Sequence, residues 1–267
     1  MIHPTAVIHP NARIAAGVKV GPFSVVDGNV RLSEGSEIGP HVYLTGGTEL
    51  GRNTRVHAGA VIGDLPQDLR FRGEATKVII GENNVIREHV TIHRSNNPSE
   101  PTCIGSNCLL MAHSHVGHNA TIGNSVIIAN GALLAGHVTI ADRVFISGNC
   151  MLHQFVRVGT LALMQGGAGI SKDLPPFTIA KGNNRVAGLN TIGLRRAGLN
   201  SEERLELRRL YHLIFRSRLK FRDALSRARA EAASEYAKQL LDFLESGRKG
   251  FCADARRNSR ASTDFDE

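Results

Sequence analysis

Three histidines, His113, His115 and His118, lie within six residues in the stretch MAHSHVGHNATIG at residues 111–123. An imidazole gains and loses its proton close to neutral pH, so each of them could act as a general acid or base. Histidines this closely spaced could also bind zinc. Which chemistry is available depends on the elements that bring other residues to this stretch.

Those elements are indicated by a repeat of six residues. An aliphatic residue occupies every sixth position from Ile2 to Ile62, and the series returns over residues 80–92 and 104–170. This period fits neither a helix nor long alternating strands, so it predicts short strands joined by tight turns. Three strands close a coil of eighteen residues, and coils stack about 4.8 Å apart. The predicted fold class is mainly β, a parallel β-helix of hexapeptide repeats. The pattern resembles the left-handed β-helix proteins, and the handedness rests on that resemblance.

Two polar stretches interrupt the repeat, residues 64–77 and residues 94–101. Both are rich in turn-forming residues and contain no aliphatic residue in register. Loops of this length within a compact domain are usually functional, so we expect both to contribute to a site.

The repeat ends at the paired prolines Pro175 and Pro176. Further on, Asn200 with Glu203 three residues later is typical of a helix N-terminus, and leucines at helical spacing follow. The sequence therefore predicts three units: a β-helix domain over residues 1–185, a small α-helical C-terminal domain over residues 186–250, and a disordered tail over residues 251–267.

The chain of 267 residues has a net charge of +8, and its basic residues are concentrated after Arg195. Such a surface suits an acidic protein or a phosphate-bearing substrate. Nucleic acid is not expected, because aromatic residues rarely interleave with the basic ones.

No secretory signal is visible and no apolar run approaches the roughly 20 residues that cross a bilayer, so we expect a cytoplasmic protein without a transmembrane segment. The four cysteines form no CxxC pair, which gives no support to a disulfide framework.

The coil length predicts which side chains meet, because position n+18 lies above position n on the next coil. His118 then stacks on Gly136, with His137 beside it. His153 comes 35 residues after His118, one short of two coils, and belongs to the same edge. His93 comes 25 residues before His118, which places it on another face. The histidines grouped at this edge are His115, His118, His137 and His153.

A histidine beside an unshielded backbone N–H is suited to acyl transfer. The imidazole of His118 can take the proton of an attacking hydroxyl, and the N–H of Gly136 can stabilise the oxyanion that forms. Because neither a G-x-S-x-G elbow nor a Cys–His pair is evident, we expect direct transfer without an acyl-enzyme and without a metal or other cofactor.

Two other classes of function remain open at this point. Zinc could be bound as in the γ-type carbonic anhydrases, which are hexapeptide proteins, and His113 and His115 point to one face of a strand. However, no carboxylate accompanies the cluster. A non-catalytic scaffold is the other class, and the two loops and the histidine edge argue against it.

The chain resembles the UDP-N-acetylglucosamine 3-O-acyltransferase family over roughly residues 1–250. The residues that carry the resemblance are Gln67-Asp68-Leu69-Arg70, Ile86-Arg87-Glu88, Val90-Thr91-Ile92-His93-Arg94, Leu134-Ala135-Gly136-His137-Val138, His153-Gln154-Phe155 and Asp173-Leu174-Pro175-Pro176. The resemblance implies the first step of lipid A synthesis, with an (R)-3-hydroxyacyl chain donated by acyl carrier protein to a UDP-amino-sugar. It also implies a homotrimer with its sites between subunits.

The resemblance assigns His118 as the general base and Gly136 as the oxyanion donor, with Asn119 beside the base. Gly166 matches the position that limits acyl length. The positions expected to bind substrate are Asp68, Arg70, His93, His115, His137, His153, Gln154, Gly166, Asn190 and Arg196.

Two positions depart from the family pattern. The family places an aspartate directly after the catalytic histidine, where this chain has Asn119, and usually a glutamate where it has Ile192. An asparagine can orient the imidazole but supplies no charge, so His118 should be a weaker base. This suggests the hypothesis of a 3-amino sugar acceptor, because an amine needs less assistance than a hydroxyl.

Overall fold

The structure is a computed structural model that describes residues 1–247 and 249–255. Strands of two to five residues stack into three long sheets around a common interior. Neighbouring strands in the stack are parallel, except that Thr178–Ala180 and Arg185–Leu189 pair antiparallel. Val7 pairs with Val25, which pairs in turn with Tyr43. These partners are 18 residues apart, as the repeat predicts. The mainly β fold class is confirmed: the coils form a parallel β-helix, and helices follow it.

The strands are defined as follows. In chain order they are β1 Val7–Ile8, β2 Arg13–Ile14, β3 Lys19–Val20, β4 Val25–Val26, β5 Arg31–Leu32, β6 Glu37–Ile38, β7 Tyr43–Leu44, β8 Thr48–Leu50, β9 Arg55–Val56, β10 Val61–Asp64, β11 Val78–Ile80, β12 Val85–Ile86, β13 Thr91–His93, β14 Thr102–Ile104, β15 Leu109–Leu110, β16 His115–Val116, β17 Thr121–Ile122, β18 Ile127–Ile128, β19 Leu133–Leu134, β20 Thr139–Ile140, β21 Phe145–Ile146, β22 Met151–Leu152, β23 Arg157–Val158, β24 Leu163–Met164, β25 Gly169–Ile170, β26 Thr178–Ala180, β27 Arg185–Leu189 and β28 Ala253–Asp254.

Each turn of the coil visits the three sheets in the same order. The first sheet runs β1-β4-β7-β10-β13-β16-β19-β22-β25, the second β2-β5-β8-β11-β14-β17-β20-β23, and the third β3-β6-β9-β12-β15-β18-β21-β24-β26-β27-β28. The aliphatic residue of each repeat points inward and is buried, as at Ile62, Ile92 and Leu134. Burial of this continuous column stabilises the stack, since each fully buried aliphatic side chain contributes roughly 1.5–3 kcal/mol.

Both interrupting loops leave the stack between the first and second sheets, an edge that we call the loop-bearing corner. Val61 pairs with Thr91 across residues 64–77, a step of 30 residues instead of 18. Thr91 pairs with His115 across residues 94–101, a step of 24. The inserted residues bulge outward at the corner, so the inward positions stay in register on either side.

Four helices and a π-helical turn lie on the end of the β-helix. Their bounds are α1 Thr191–Arg196, α2 Ser201–Tyr211, the π-helical turn His212–Arg216, α3 Phe221–Glu231 and α4 Glu235–Glu245. As predicted, Asn200 begins α2: its side chain accepts from the Glu203 N–H at 2.9 Å, and the Glu203 carboxylate accepts from the Asn200 N–H at 2.8 Å. In the part of the chain that the structure describes, no helix has the length and apolarity needed to span a membrane.

The chain after the helices differs from the prediction. Residues 251–255 were expected to begin a disordered tail, but they contain β28, which pairs with β27 and extends the third sheet. Asp254 is buried there and accepts hydrogen bonds from the Tyr211 hydroxyl at 2.5 Å and from Arg216 at 2.8 Å. A polar composition suggested disorder, whereas an open sheet edge and the donors of Tyr211 and Arg216 give this segment its partners. Residues 256–267 of the predicted tail lie outside the described residues.

The repeat makes a direct prediction about stability. Ile122 points into the column and is 2% exposed, whereas its neighbour Thr121 points outward. Ile122→Ala should lower the free energy of unfolding by about 2–5 kcal/mol through lost burial and a cavity. Thr121→Ala should change it by less than about 0.5 kcal/mol. Denaturant titrations of both variants would measure this, and equal effects would contradict the inward–outward assignment.

Candidate active site

The loop-bearing corner gathers most of the residues that the sequence singled out. His93 ends β13, His118 follows β16, His137 follows β19, and His153 follows β22, so successive coils present them one above another. Asn119 and His137 occupy the turn position with φ of 57° and 59°. Asparagine and histidine adopt this left-handed conformation more readily than most side chains, which suits them to the turn.

His118 lies over Gly136, as the coil arithmetic predicted. A Cβ atom added to Gly136 would lie 2.7 Å from both Cε1 and Nε2 of His118. A side chain at this position would collide with the imidazole, so glycine is required for the ring to lie there. The His137 ring packs edge-on against His118, with 5.1 Å between ring centroids. Among the described residues, the Gly136 N–H donates to no backbone carbonyl, whereas the N–H groups of Ala135 and His137 on either side are paired.

His93 was expected on another face, and that prediction is wrong. Its ring packs edge-on against His115 with centroids 4.9 Å apart, in the group that contains His118. The arithmetic failed because residues 94–101 lengthen this coil to 24 residues, so His93 lies beneath Gly117. His115 is held by Thr91, whose Oγ1 lies 2.7 Å from its Nδ1. Among the described residues, the buried Nδ1 of His93 has no hydrogen-bond partner.

Asn119 joins His118 to the loop of residues 94–101. Its Oδ1 lies 2.8 Å from His118 Nδ1 and accepts from the Asn96 N–H at 3.1 Å. Its Nδ2 donates to Ser95 Oγ at 2.7 Å and to the Glu100 carbonyl at 3.2 Å. The side chain is only 8% exposed, so these bonds replace the water that a surface amide would have.

The longer loop meets the shorter one at Asp68. Its carboxylate accepts from the Arg70 guanidinium at 3.0 and 3.1 Å and from Asn96 Nδ2 at 2.7 Å. The hydrogen bonds from Arg70 hold the pKa of Asp68 well below its usual range. A continuous chain of hydrogen bonds therefore runs from Asp68 through Asn96 to Asn119 and His118.

The upper end of the corner receives a residue from the C-terminal chain. Phe155 stacks on His137 with centroids 4.5 Å apart, and Lys249 Nζ lies 5.1 Å above the Phe155 ring. Lys249 also donates to the Gln154 carbonyl at 2.7 Å. His153 Nδ1 lies 3.3 Å from the same carbonyl. No sequence pattern indicated Lys249, because it lies 95 residues from Gln154, its partner.

Four of the singled-out residues lie away from this group. Gly166 is in the turn between β24 and β25, a different corner, and an added Cβ there would meet only the Gly148 carbonyl at 3.6 Å. Asn190 caps α1 by accepting from the Gly193 N–H and donates to the Leu161 carbonyl at 2.9 Å. Arg196 and Ile192 are exposed on α1.

His113 is separate from His118, as the coil arithmetic predicted. It follows β15, at the corner where the third sheet leads into the first, and stacks on His89 with centroids 5.2 Å apart. Among the described residues, no three His, Cys, Asp or Glu side chains are grouped as a metal would require. The zinc alternative therefore has no ligand set in that part of the chain.

Burial favours the uncharged form of His93, His115 and His137, which lie around His118. Loss of solvent, followed by the nearness of His93 and His118, lowers the pKa of His115 to about 4. Loss of solvent likewise lowers the pKa of His93 and of His137. The site is thus a partly dry corner with neutral imidazoles, an unpaired N–H and a carboxylate at its rim. Such an arrangement can move a proton and stabilise a developing oxyanion.

The fold and the site define a transferase of hexapeptide repeats. Residues 29–64 and 102–136 match the family described as bacterial transferase hexapeptide, and residues 173–252 match the one described as UDP N-acetylglucosamine O-acyltransferase, domain 2. The chain is 45% identical to the acyl-[acyl-carrier-protein]–UDP-N-acetylglucosamine O-acyltransferase of Myxococcus xanthus, covering 93% of this chain and 98% of that one. It is 47% identical to the enzyme of that name from Gloeothece citriformis, covering 76% and 75%.

Solved structures agree with these sequence comparisons. The UDP-N-acetylglucosamine acyltransferase of Francisella novicida superposes with a TM-score of 0.91 at 33% identity, covering 98% of this chain and all of that one. The chain belongs to the UDP-N-acetylglucosamine O-acyltransferase family.

The depressed pKa of His115 predicts a dependence of stability on pH. The unfolded chain takes up a proton at His115 below about pH 6.5, while the folded chain resists it down to about pH 4. The unfolded state therefore binds more protons in this window, and stability falls as the pH drops through it. His115→Gln should reduce the fall in thermal midpoint between pH 7 and pH 5. His113→Gln, an exposed site at another corner, should leave the fall unchanged, and an equal response of both variants would contradict the assignment.

Proposed function

We propose that this protein transfers an (R)-3-hydroxyacyl chain from acyl carrier protein to the 3-position of UDP-N-acetylglucosamine, the first step of lipid A synthesis. His118 is the general base and the Gly136 N–H is the oxyanion donor. The supporting observation is that the His118 imidazole occupies the space that a Cβ on Gly136 would need. The names of the relatives in several bacteria supply the substrate class.

The proposed reaction is a direct transfer. Asn119 occupies Nδ1 of His118, so Nε2 is the nitrogen left to take the proton of the sugar hydroxyl. The alkoxide oxygen bonds to the thioester carbonyl carbon, and the carbonyl oxygen becomes an oxyanion that the Gly136 N–H stabilises. The tetrahedral intermediate then collapses, the carbon–sulfur bond breaks, and His118 returns the proton to the departing thiolate. No metal and no further cofactor enters this scheme.

Substrate binding is proposed for the polar groups around this centre. The unpartnered, buried Nδ1 of His93 is a position that a ligand oxygen or N–H would satisfy. Asp68, Arg70, His137, His153 and Gln154 belong to the loops and turns of the same corner. Asp68 and Arg70 are near enough to His137 to affect its pKa. The neutral His115 packs edge-on against His93 from the next coil. Asn190 is committed to its helix cap, so its contact with substrate would need one of these bonds to change.

A homotrimer is proposed from the distribution of apolar and site residues. Along the first sheet, the outward side chains are apolar on either side of Thr91 and His115, and Val7, Tyr43, Leu133 and Met151 are between 37% and 62% exposed. Apolar rows of this extent mark interaction surfaces. Gly166, the position expected to limit acyl length, lies at a different corner from His118. A site that uses both residues would therefore be completed by a neighbouring subunit.

The helical domain offers a basic surface for acyl carrier protein, which is acidic. The exposed cations are Arg195, Arg196, Arg208, Arg209, Arg218, Lys220 and Arg222. Contacts of this kind accelerate encounter and weaken with salt. Arg216 differs from them, because its guanidinium is bound to the buried Asp254. Acyl carrier protein and sugar nucleotide are cytoplasmic, and we propose the same location for this chain.

Loss of the base should abolish transfer without altering assembly. His118→Ala should lower kcat by about 10²- to 10⁴-fold, the usual contribution of a general base. His113→Ala, which removes an exposed ring at another corner, should retain full activity. Product formation from acylated carrier protein and the UDP sugar would be measured, and light scattering would follow oligomeric state. Near-normal activity of His118→Ala would refute the proposed base.

The second candidate function is N-acyl transfer to a 3-amino sugar nucleotide. Asn119 favours it, because an uncharged partner gives His118 less basicity than a carboxylate would and an amine needs less base assistance. This second function predicts that the 3-amino sugar has a kcat/KM at least equal to that of the 3-hydroxy sugar. Competition between the two acceptors would measure this, with mild alkali separating the ester product from the amide. A tenfold preference for the hydroxyl, about 1.4 kcal/mol, would exclude this function.

A further inference from the structure

The buried side-chain amide of Asn119 has four hydrogen-bonding partners, and three of them belong to residues 94–101. Asn96 N–H and His118 Nδ1 face its Oδ1, and Ser95 Oγ and the Glu100 carbonyl face its Nδ2. An amide can be turned by 180° with little change of shape, so the partners decide which end is oxygen. Each partner's role as donor or acceptor therefore matters.

Two of these roles are set by the backbone. The Asn96 N–H can only donate, so it requires Oδ1 on its side of the carboxamide. The Glu100 carbonyl can only accept, so it requires Nδ2 on the other side. The two requirements agree, but both bonds are long, at 3.1 and 3.2 Å, so they favour one direction of the amide without holding it there alone.

Ser95 supplies the third constraint and the shortest bond to Nδ2. Its hydroxyl donates to the Asn97 carbonyl at 2.9 Å, which uses its one proton. The oxygen then accepts from Asn119 Nδ2 at 2.7 Å and from the Asn97 N–H at 2.8 Å. Ser95 is fully buried, so water does not compete for these bonds.

The orientation of the amide decides the tautomer of His118. Oδ1 carries no proton, so the 2.8 Å contact requires that His118 Nδ1 donate to it. In the neutral imidazole the proton is then on Nδ1, and the lone pair is on Nε2, beside Gly136. The opposite tautomer would set two lone pairs against each other at Nδ1.

We propose that Ser95 is a positioning residue, which acts through Asn119 to keep the His118 proton on Nδ1 and leave Nε2 free to accept one. The inference rests on the proposed role of His118. It also accounts for the asparagine at position 119, where a carboxylate would set an oxygen against Ser95 Oγ and the Glu100 carbonyl. Only the Ser95 hydroxyl could supply a proton to that oxygen, and its bond to Asn97 would be lost.

The test compares Ser95→Ala with Ser99→Ala in the full-length protein. Ser99 lies in the same loop and also bonds to Asn97, but it is exposed and has no contact with Asn119. Nitrogen-15 NMR of histidine-labelled protein reports the tautomer of each ring, and a His118→Gln sample assigns the His118 signals. We expect Nδ1 protonation in the unaltered protein and in Ser99→Ala, and a mixture of tautomers in Ser95→Ala.

Activity gives a second readout. Loss of one hydrogen bond should lower kcat of Ser95→Ala about fivefold, with KM for the sugar nucleotide changed less than twofold. Asn119→Asp should not exceed the unaltered protein in kcat, and its acid limb in the pH profile should move to higher pH because the new charge stabilises imidazolium. An unchanged His118 tautomer in Ser95→Ala, or a gain of activity in Asn119→Asp, would overturn the proposal. Activity retained in His118→Ala would instead refute the base itself and leave the tautomer result standing.

Discussion

Parallel stacking of one coil on the next is the constraint on which the site depends. Backbone hydrogen bonds such as Gly117 N–H to Leu134 carbonyl at 2.8 Å hold each coil at one interstrand spacing from its neighbour. About 4.8 Å between coils leaves little room for two side chains at equivalent corner positions. His118 can lie flat across the next coil because Gly136 has no Cβ. The missing Cβ also leaves the Gly136 N–H unshielded. The distance between coils therefore accounts both for the position of His118 and for the proposed oxyanion donor.

The corners allow insertions that the strands could not tolerate. One extra residue inside a strand would turn every following side chain to the opposite face. At the loop-bearing corner the chain can leave and return without disturbing the inward column, and it does so twice. The returning ends are held in place: Thr102 N–H donates to the Lys77 carbonyl at 3.1 Å, which ties one loop to the other. The stack thereby holds the two polar loops, residues 64–77 and 94–101, and their hydrogen bonds reach the residues beside His118.

Burial then determines the electrical character of the corner. Burial limits the access of solvent to His93, His115 and His137. It lowers the pKa of each, which favours the neutral form where an exposed histidine would be partly charged. Hydrogen bonds are stronger in such an environment, and an unmatched one is more costly. For this reason the orientation of the Asn119 amide affects which nitrogen of His118 carries the proton. The Asp68–Arg70 ion pair and Lys249 place further charges at the rim of the corner.

The amino-acid sequence by itself determined the coil. Burial of one aliphatic residue in six is a local, periodic requirement, so it can be read from positions such as Ile62 and Leu134 without coordinates. Where coils have the regular length, the same period correctly brought His118 to Gly136. The resemblance to the family identified the expected site residues. It also showed that Asn119 differs from the aspartate that the family has at this position.

Tertiary structure alone decided the contacts that cross irregular segments. His93 was misplaced because the number of residues that a loop absorbs depends on its fold and not on its composition. Ser95 carried no signal, since a serine in a polar loop acquires meaning only when a buried amide is directed at it. Lys249 and β28 reach their partners from the far end of the chain. In each case the outcome depends on contacts between irregular or distant segments that exist only after the stack has formed, a property of the folded molecule as a whole.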